Sequence, residues 1–445
     1  MADAKSKDGA LQLALFSLPA APLFALALPL TIFLPPYYAT HLGLPLATVS
    51  AVFVAARAFD LFIDPVIGGW EDRTQSRFGR RRLWMAVSAP VLMAFTWFCF
   101  DGIWPQAPAA LALIGVFGLY AAYAAMLIAH LSWAGELRPH YHGRTESLGA
   151  LQVTGLFGQV SMLMLAAFVV QSGLGDDGAA VRVMGWCIIA AIPLTLAICL
   201  LSTRETQLPP QPHLGFRAAL RAILDNVNLR QVLWPDLLTG VAQGVQSGLF
   251  LFYFQHVLQF WKESQTLLAI YFVAGLIGAP LWIWLGRRIG KHRALQIACL
   301  AATLVAALLP ILPRGNFLVV APLMALGGLP TAAPGILLRA MMADVVDEDE
   351  LATRARRTGL FFGLLLTTNK IGLVAGPLTY VFLDIAGFNA LAHAANSAAA
   401  LTTLTLLFIA LPLALFGWAA LSLKSYKLDE ARQAATRAAI DARAR

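Results

Sequence analysis

Charged residues are scarce in this sequence. Asp, Glu, Lys and Arg together make up 13% of its 445 residues, about half the share found in an ordinary soluble protein. Apolar residues make up 59%, which is more apolar surface than a water-facing fold can hide. The composition therefore excludes a soluble enzyme and a nucleic-acid-binding protein.

Cysteine is also scarce, and its placement excludes a disulfide-stapled secreted domain. The four cysteines are Cys99, Cys187, Cys199 and Cys299, which lie inside apolar runs without paired spacing. This pattern implies neither a disulfide framework nor a zinc site. We expect no organic cofactor and no structural metal.

Long apolar runs are what the sequence has instead. At about 20 residues per crossing, twelve runs are long enough to span a bilayer as helices. They are continuous rather than alternating segments of about ten residues, which argues against a transmembrane barrel. The predicted spans are 11–38, 47–70, 83–101, 108–133, 148–172, 181–201, 231–257, 266–286, 294–313, 316–343, 358–384 and 396–423. The fold class is therefore an all-α polytopic membrane protein, whose first run is interpreted as a spanning helix rather than a secretory signal.

The distribution of basic residues predicts the orientation in the membrane. Of the 32 Lys and Arg residues, 26 lie in the terminal segments or in the loops on the same side, and three lie on the opposite side. Basic residues concentrate on the cytoplasmic side of membrane proteins. We expect both termini to be cytoplasmic in a multi-pass protein of the cell (inner) membrane, and the net charge of +8 to report this orientation.

A polar stretch in the middle of the chain separates six spans from six. It runs from residue 202 to 230 and contains Pro209, Pro210 and Pro212. The motif at 77–82, RFGRRR, is echoed at 288–293 as RIGKHR, an offset of 211 residues, and Arg-Thr at 144–145 is echoed at 357–358. Two echoes at nearly one offset indicate a duplicated six-helix unit. The predicted organisation is an N-terminal bundle at 1–201, a linker at 202–230, a C-terminal bundle at 231–424 and a cytoplasmic tail at 425–445.

Span two contains the most informative charges. Arg57, Asp60 and Asp64 are spaced i, i+3 and i+7, so they share one helical face. Each buried charge costs about 2.5–3.5 kcal/mol on the insertion scale. One interpretation is an internal ion-pair network that joins helices. The interpretation we favour is a proton or cation site, because two carboxylates have only one adjacent cation.

Span eleven contains Lys370, preceded by Asn369, and this lysine is the only one deep inside a predicted span. The side chain could extend to a membrane interface. Alternatively it faces Asp60 and Asp64 across a central cavity and changes its ion-pair partner when a proton or cation binds.

Two charged segments predict a breakable cytoplasmic gate. The loop after span two contains Asp72, Arg73, Gly79, Arg80, Arg81 and Arg82, and a second, acidic loop contains Asp344, Asp347, Glu348, Asp349 and Glu350. The arginines of one half could bridge to the acids of the other. The alternative is that they serve membrane orientation alone.

Other polar residues inside spans are candidates for a binding cavity or for bonds between helices. They are His130, Gln152, Gln159, Gln243, Gln246 and Arg339. His130 could relay protons, although a hydrogen-bonded core histidine is the simpler interpretation.

Several of these segments together resemble one transporter family. They are Ala56–Gly68 with its continuation to Gly79-Arg-Arg-Arg82, Tyr37-Tyr38, Ala343–Leu351, and Arg357-Thr-Gly359 leading to Lys370. The combination resembles the signature of the glycoside-pentoside-hexuronide:cation symporters, the melibiose-permease-like branch of the major facilitator superfamily. The resemblance extends from about residue 10 to 423.

The resemblance implies a major facilitator fold and uptake of a sugar with Na⁺ or H⁺ by alternating access. The paired cation-site acids of the family fall on Asp60 and Asp64, and its span-eleven lysine falls on Lys370. Residues that recognise sugar in the permease are replaced here by Leu23 and Phe24 in span one, Leu127 and Leu131 in span four, and Gln152 in span five. We expect the substrate to contact Phe24, His130, Gln152, Gln159, Gln243, Gln246 and Asn369.

The coupling ion follows from the available ligands. Na⁺ needs several oxygen ligands, and Asp60 and Asp64 would be its metal site. Ile63 and span four near Ala124 and Ala125 offer no side-chain oxygen. We therefore favour H⁺ over Na⁺.

Three other functions are considered. The apolar replacements would suit a lysophospholipid or another amphiphile, and the family resemblance extends to such carriers. A polytopic membrane enzyme would present clustered His, Asp or Ser at one membrane face, and a sensor would append a soluble domain; the sequence shows neither. We expect a monomeric carrier of a small molecule in the lipid bilayer, with no catalytic residue and no nucleic-acid partner.

Overall fold

The protein is described by a computed structural model. It covers residues 11–104, 108–137, 141–205, 226–353 and 358–426, with Leu428 and short stretches between 432 and 442. Among these residues, twelve helical segments are long and apolar enough to cross a membrane, and none of the described residues is in a strand. The predicted all-α fold with twelve spans is confirmed.

The spans observed in the structure follow the apolar runs closely. In chain order, spans one to twelve are Leu11–Thr40, Leu46–Gly68, Arg80–Gly102, Ala109–Ala134, Gly149–Gln171, Asp177–Ser202, Val227–Val257, Ser264–Ile289, Lys291–Ile311, Phe317–Ala352, Phe361–Ile385 and Ala398–Ser425. Beyond these bounds, the helix of span two continues to Arg73, that of span four to Leu137, and that of span five begins at Tyr141. The helix of span ten ends at Thr353, and that of span eleven begins at Thr358.

Several spans are not continuous α-helix. Five-residue π-helical turns lie at Pro29–Phe33, Phe98–Gly102, Tyr253–Val257 and Leu406–Ala410. Short 3₁₀ turns lie at Leu309–Ile311, Leu329–Thr331 and Leu423–Ser425. Span eleven is divided at Val374 into the helices Thr358–Leu373 and Ala375–Ile385. Irregular turns of this kind mark places where a helix bends.

Polar caps determine the residue at which four of the helices begin. The side chain of the residue preceding the helix accepts a hydrogen bond from a backbone N–H three residues further on, which satisfies one of the unpaired donors of the first turn. These caps are Asp176 to Ala179, Asn226 to Leu229, Asn316 to Val319 and Ser397 to Ala400. Span seven therefore begins at Val227, inside the segment predicted to be linker.

The acidic stretch at 344–350 is a helix, and the prediction of a loop was wrong. The helix of span ten runs from Ala332 to Thr353 without a break. The stretch contains neither Gly nor Pro, and hydropathy reports only where apolar residues end, not where a helix ends. The acidic side chains are therefore fixed on a helix.

By its internal contacts the chain divides into two compact units. The N-terminal unit comprises residues 1–211 with 389–394, and the C-terminal unit comprises 212–388 with 395–445. In the N-terminal unit, spans one and five pack together, as do spans two and four and spans three and six. In the C-terminal unit the corresponding pairs are spans seven and eleven, eight and ten, and nine and twelve. The two units share one packing pattern.

The same correspondence holds in the backbone where the motif repeats. Gly79 precedes the helix of span three with φ 96° and ψ 142°, and Gly290 precedes that of span nine with φ 93° and ψ 146°. A positive φ of this size is strained for any residue with a Cβ atom. The glycine shared by the two echoed motifs thus has the same conformational role in each unit.

Glycines also allow spans seven and eleven to approach until their backbones touch. A Cβ atom on Gly244 would lie 2.8 Å from the Gly372 carbonyl oxygen, and one on Gly376 would lie 2.4 Å from the Gly244 carbonyl oxygen. A Cβ atom on Gly372 would lie 2.6 Å from the Gly240 carbonyl carbon. We call this contact the glycine seam. Small residues at a membrane helix interface permit such close packing.

Candidate functional site

The acidic pair of span two lies in the N-terminal unit. Asp60 is buried, with 4% of its surface exposed, and Asp64 is half-buried one turn further along the helix. The helix runs unbroken through both residues, so the predicted common face is present. Two carboxylates on one helical face at this burial make a concentrated negative site within a span.

Arg57, on the same face, is held by spans one and four. Its Nη2 donates a hydrogen bond of 2.7 Å to Thr31 Oγ1, and its Cζ lies 5.1 Å from the centroid of the Tyr120 ring. Thr31 belongs to the π-helical turn of span one, and π turns are frequent at functional sites. The guanidinium charge is therefore fixed beside the acidic pair by a hydroxyl group and an aromatic ring.

Two tyrosines of span four complete this site, and sequence reasoning missed them. Tyr120 is 2% exposed, and its hydroxyl has no hydrogen-bond partner among the described residues. Tyr123 lies within electrostatic range of Asp60, Arg57 and Asp64. Two phenol groups therefore lie within electrostatic range of Asp60, on the span whose stretch near Ala124 and Ala125 was predicted to offer no side-chain oxygen. The spacing i, i+3 was the available signal, but two tyrosines in an apolar helix look the same as core packing.

Lys370 and Asn369 lie in the C-terminal unit, next to the glycine seam. Both are half-buried, and Lys370 is the tenth residue of span eleven. The backbone oxygen of Asn369 would lie 3.4 Å from a Cβ atom on Gly240. Span seven therefore fixes the backbone of span eleven directly beside Lys370.

Phe24 packs on span five at Gly155, which lies between Gln152 and Gln159 in the sequence. The Phe24 ring covers Gly155, since a Cβ atom there would lie 1.9 Å from Phe24 Cδ2. Gly155 lies three residues after Gln152 and four before Gln159, so all three share a helical face. Gln152 is exposed and Gln159 is half-buried. An aromatic ring flanked by amide groups can bind a polar ligand or an amphiphile.

The remaining candidates are more scattered. His130 is completely buried, with Nε2 3.0 Å from the Phe16 carbonyl oxygen, which is the contact expected of a core histidine. Gln243 and Gln246 are half-buried in span seven, and Arg339 is exposed in span ten. A role for His130, Gln243 and Gln246 in substrate binding stays a prediction.

The basic residues Arg80, Arg81 and Arg82 lie in the first turn of the span-three helix, so the prediction that they belong to a loop was wrong. Their described partners lie in the N-terminal unit. Arg81 Nη1 lies 2.8 Å from Glu71 Oε1, and both side chains are buried. Both Glu205 carboxylate oxygens accept hydrogen bonds of 3.1 Å from the backbone N–H of Arg81, and one accepts from that of Arg82. Gly79 allows this approach, because a Cβ atom there would lie 2.2 Å from Glu205 Oε2. Of the other gate candidates, Arg80 is half-buried, and the side chains of Asp72 and Arg73 lie outside the described part of the structure.

The acids of span ten also have partners in their own unit. Lys291 Nζ donates to Asp344 Oδ2 at 2.6 Å, and Glu348 accepts from Asn228 and from Arg432. Burial raises the pKa of Tyr426, and the carboxylates of Asp344 and Glu348 raise it further, so this tyrosine stays a neutral neighbour of the acids. Asp347 is half-buried on the same helix. Each unit thus has an ion pair that involves a basic residue of its echoed motif, Arg81 in one unit and Lys291 in the other.

Glu205 gives a prediction on stability. Glu205→Ala removes the acceptor of two backbone donors at the first turn of span three, and we expect a loss of about 0.5–2 kcal/mol, the range measured for helix caps. The measurement is the thermal midpoint of the purified protein in detergent. Glu205→Gln, which retains one acceptor oxygen, should lose less. Equal midpoints for wild type and Glu205→Ala would show that the cap is dispensable.

The chain is similar in sequence to several transporters. It is 24% identical over 412 residues to the isoprimeverose transporter of Lactiplantibacillus pentosus, covering 88% of this chain and 84% of the relative. It is 24% identical over 421 residues to the putative glycoside/cation symporter YagG of Escherichia coli, covering 90% and 88%. It is also 24% identical over 433 residues to the sodium-dependent lysophosphatidylcholine symporter 1 of Gallus gallus, covering 88% and 81%.

The fold and the family follow from two further comparisons. The crystal structure of the nucleoside transporter NupG superposes with a TM-score of 0.67 at 14% identity, covering 94% of this chain and 99% of NupG, so the two chains share one fold. Together with the family match that follows, this confirms the predicted major facilitator fold. Residues 15–430 match the family described as MFS/sugar transport protein. The chain therefore belongs to the MFS/sugar transport family, in its glycoside-pentoside-hexuronide:cation symporter branch.

Proposed function

We propose that this protein is a secondary active transporter that moves a sugar, a glycoside or a related polar metabolite together with a cation by alternating access. The supporting observation is the buried Asp60 beside Asp64 and the fixed Arg57 guanidinium in span two. Acidic residues inside a membrane span mark ion and proton pathways, because binding of a cation neutralises a charge that is costly there. Lys370 is the proposed partner that responds to this neutralisation.

H⁺ is the coupling ion that we favour over Na⁺. Two carboxylates provide only part of the oxygen shell that a hard cation requires. The phenol groups of Tyr120 and Tyr123 are two further oxygen groups within electrostatic range of Asp60. A phenol is a neutral and therefore weaker ligand than a carboxylate. A proton needs only one carboxylate oxygen, so the site suits H⁺ without further ligands.

The proposed substrate residues are Phe24, Gln152 and Gln159 in the N-terminal unit and Asn369, Gln243 and Gln246 in the C-terminal unit. Amides hydrogen-bond hydroxyl groups, and an aromatic ring packs against the apolar face of a sugar. The alternative substrate is a lysophospholipid or another amphiphile. Phe24, whose ring lies on the face of span five, favours this amphiphile. So does the sequence identity to the lysophosphatidylcholine symporter, which equals the identity to the isoprimeverose transporter.

We further propose a monomer in the cell (inner) membrane with both termini in the cytoplasm. The asymmetry of 26 basic residues against three supports this orientation. In this orientation the ion pairs Glu71–Arg81 and Lys291–Asp344 lie on the cytoplasmic side. We propose that they brace the cytoplasmic gate, in which the polar residues of both motifs take part.

The test is counterflow uptake into proteoliposomes that contain the purified protein. The panel consists of labelled glycosides, uronides and lysophospholipids, each at two pH values with and without Na⁺. Protein-free liposomes are the control for leakage. The Asp60→Asn, Asp64→Asn double variant is the control for coupling, because it should retain counterflow but lose its dependence on pH. We expect a sugar-class substrate whose uptake depends on pH and not on Na⁺.

Each other outcome corrects one part of the proposal. Stimulation by Na⁺ at fixed pH would overturn H⁺ coupling, and uptake of lysophospholipid alone would replace the substrate class. Saturable binding with no uptake of any compound would overturn the transport function itself.

A further inference from the structure

The C-terminal unit contains a buried carboxyl that the proposed transport site does not use. Asp236 lies in span seven, with 6% of its surface exposed. Its Oδ2 lies 2.5 Å from Thr368 Oγ1 of span eleven. Asp236 lies one helical turn before the glycine seam at Gly240, and Thr368 lies two residues before Lys370. The seam holds the two backbones together, so this short contact is fixed by packing.

Thr368 makes a second hydrogen bond. The number of protons available for its two contacts decides whether Asp236 is ionised or protonated. Thr368 Oγ1 also lies 2.9 Å from the Leu365 carbonyl oxygen. A threonine hydroxyl has one proton to donate, and a carbonyl oxygen can only accept. If Asp236 is ionised, that single proton has to serve two acceptors. If Asp236 is protonated, its O–H donates to Thr368 Oγ1, and Thr368 donates its own proton to Leu365. The protonated state satisfies both contacts.

The charged surroundings of Asp236 are sparse. Arg339 of span ten is the charged group within electrostatic range among the described residues, and no described ion pair joins the two. The other charged residues on neighbouring spans are Lys370 in span eleven, Arg287 and Arg288 at the end of span eight, and the acids of span ten from Asp344 onward. Among the described contacts, no hydrogen bond or ion pair joins any of these groups to Asp236. Span twelve has no charged residue from 398 to 423.

We propose that Asp236 is a second proton-binding site of this protein, located in the C-terminal unit and hydrogen-bonded through Thr368 to span eleven. With the proton bound, the chain Asp236 to Thr368 to Leu365 is complete. When the proton leaves to water, Asp236 becomes an anion opposite Arg339 and competes with Leu365 for the Thr368 hydroxyl. Loss of the proton therefore changes the hydrogen bonding of span eleven half a turn from Lys370. The inference deepens the proposed proton coupling and rests on it only for the use of this proton in transport.

The test is infrared spectroscopy of the purified full-length protein in lipid nanodiscs during a pH titration. Protonated carboxyl groups have a carbonyl stretching band of their own, separate from amides and carboxylates. The background is the Asp60→Asn, Asp64→Asn double variant, which removes the acidic pair of span two from that region. We expect a protonated-carboxyl band at neutral pH in this background and its complete loss when Asp236→Asn is added.

Thr368 variants test the hydrogen bond separately. Thr368→Val should shift the frequency of the band, because the acceptor of the Asp236 proton is gone, and Thr368→Ser should restore it. Asp236→Asn retains shape and can donate its amide proton to Thr368, so it should elute as a monodisperse peak, like wild type. A neutral-pH band that persists in Asp236→Asn, or the absence of any band at neutral pH, would overturn the proposal.

The outcome is independent of the proposed function. The spectra need neither substrate nor transport. A protein that transports without an Asp236 band refutes the second proton site alone. A protein that shows the band but takes up no compound of the panel refutes the proposed substrate and transport function and leaves the proton site standing.

Discussion

Asp64→Asn is expected to abolish accumulation of substrate against its gradient while sparing exchange of labelled for unlabelled substrate. Accumulation requires that each substrate move with a cation, and Asn has nearly the shape of Asp but cannot bind a proton or balance a charge. Exchange requires only that the loaded protein change its orientation. Arg57 should keep its position in the variant, because Thr31 and Tyr120 hold it. The internal concentration should therefore fall to parity with the external one.

Two measurements on the same membrane vesicles decide this prediction. Energised uptake reports coupling, and counterflow reports exchange. Asp64→Glu is the matched control, since it preserves the charge with one added methylene, and it should retain part of the coupling. Asp60→Asn should behave as Asp64→Asn does or more severely, because Asp60 is the more buried of the two. Full active uptake by Asp64→Asn would refute the assignment of the coupling site.

Gly372→Ala is expected to destabilise the C-terminal unit and to stop transport. A Cβ atom there would lie 2.6 Å from the Gly240 carbonyl carbon and 2.6 Å from the Val241 nitrogen. Backbone atoms cannot rotate out of the way as a side chain can, so spans seven and eleven have to separate. Overpacking of this kind costs about 1–3 kcal/mol. The separation would also move Asn369 and Lys370, so the loss of transport should exceed what the loss of stability explains.

Gly363→Ala is a matched control in the same span. No atom lies within 4 Å of a Cβ atom at Gly363, so the substitution tests helix propensity alone. It should leave the thermal midpoint unchanged or raise it, since Ala exceeds Gly in helix propensity by up to about 1 kcal/mol. Midpoints in detergent and counterflow rates of the two variants give the comparison. If Gly372→Ala and Gly363→Ala behave alike, the glycine seam is not a tight contact.

The spans could be predicted because hydropathy is a local property. A membrane span has to be apolar over its own length, whatever packs against it, so the positions of the twelve helices follow from the composition of each run. The face shared by Arg57, Asp60 and Asp64 could be predicted for the same reason, since helical spacing depends on one segment. The end of span ten could not, because a helix of charged residues continues past the membrane without a hydropathy signal.

The partners of the candidate site depend on tertiary structure. Thr31 and Tyr120 are separated by 89 residues of chain, and nothing local places either beside Arg57. Glu205 follows span six and looks like linker, yet it caps span three. Asp236 is the one acidic residue of the helix Val227–Phe252. Its role depends on Thr368 and Leu365, which only the packing of spans seven and eleven brings to it. A single sequence contains no signal for such pairings.

The paired turns at Gly79 and Gly290 have a consequence at the level of the gene. Every single-nucleotide missense change in a glycine codon yields a residue with a Cβ atom. At Gly79 such an atom would clash with the Glu205 side chain. At both positions the backbone has a positive φ, which is unfavourable for a residue with a Cβ atom. Every single-nucleotide missense change at either codon should therefore impair the protein. In a saturation library selected for growth on the transported compound, both codons should retain glycine, although they lie 211 codons apart.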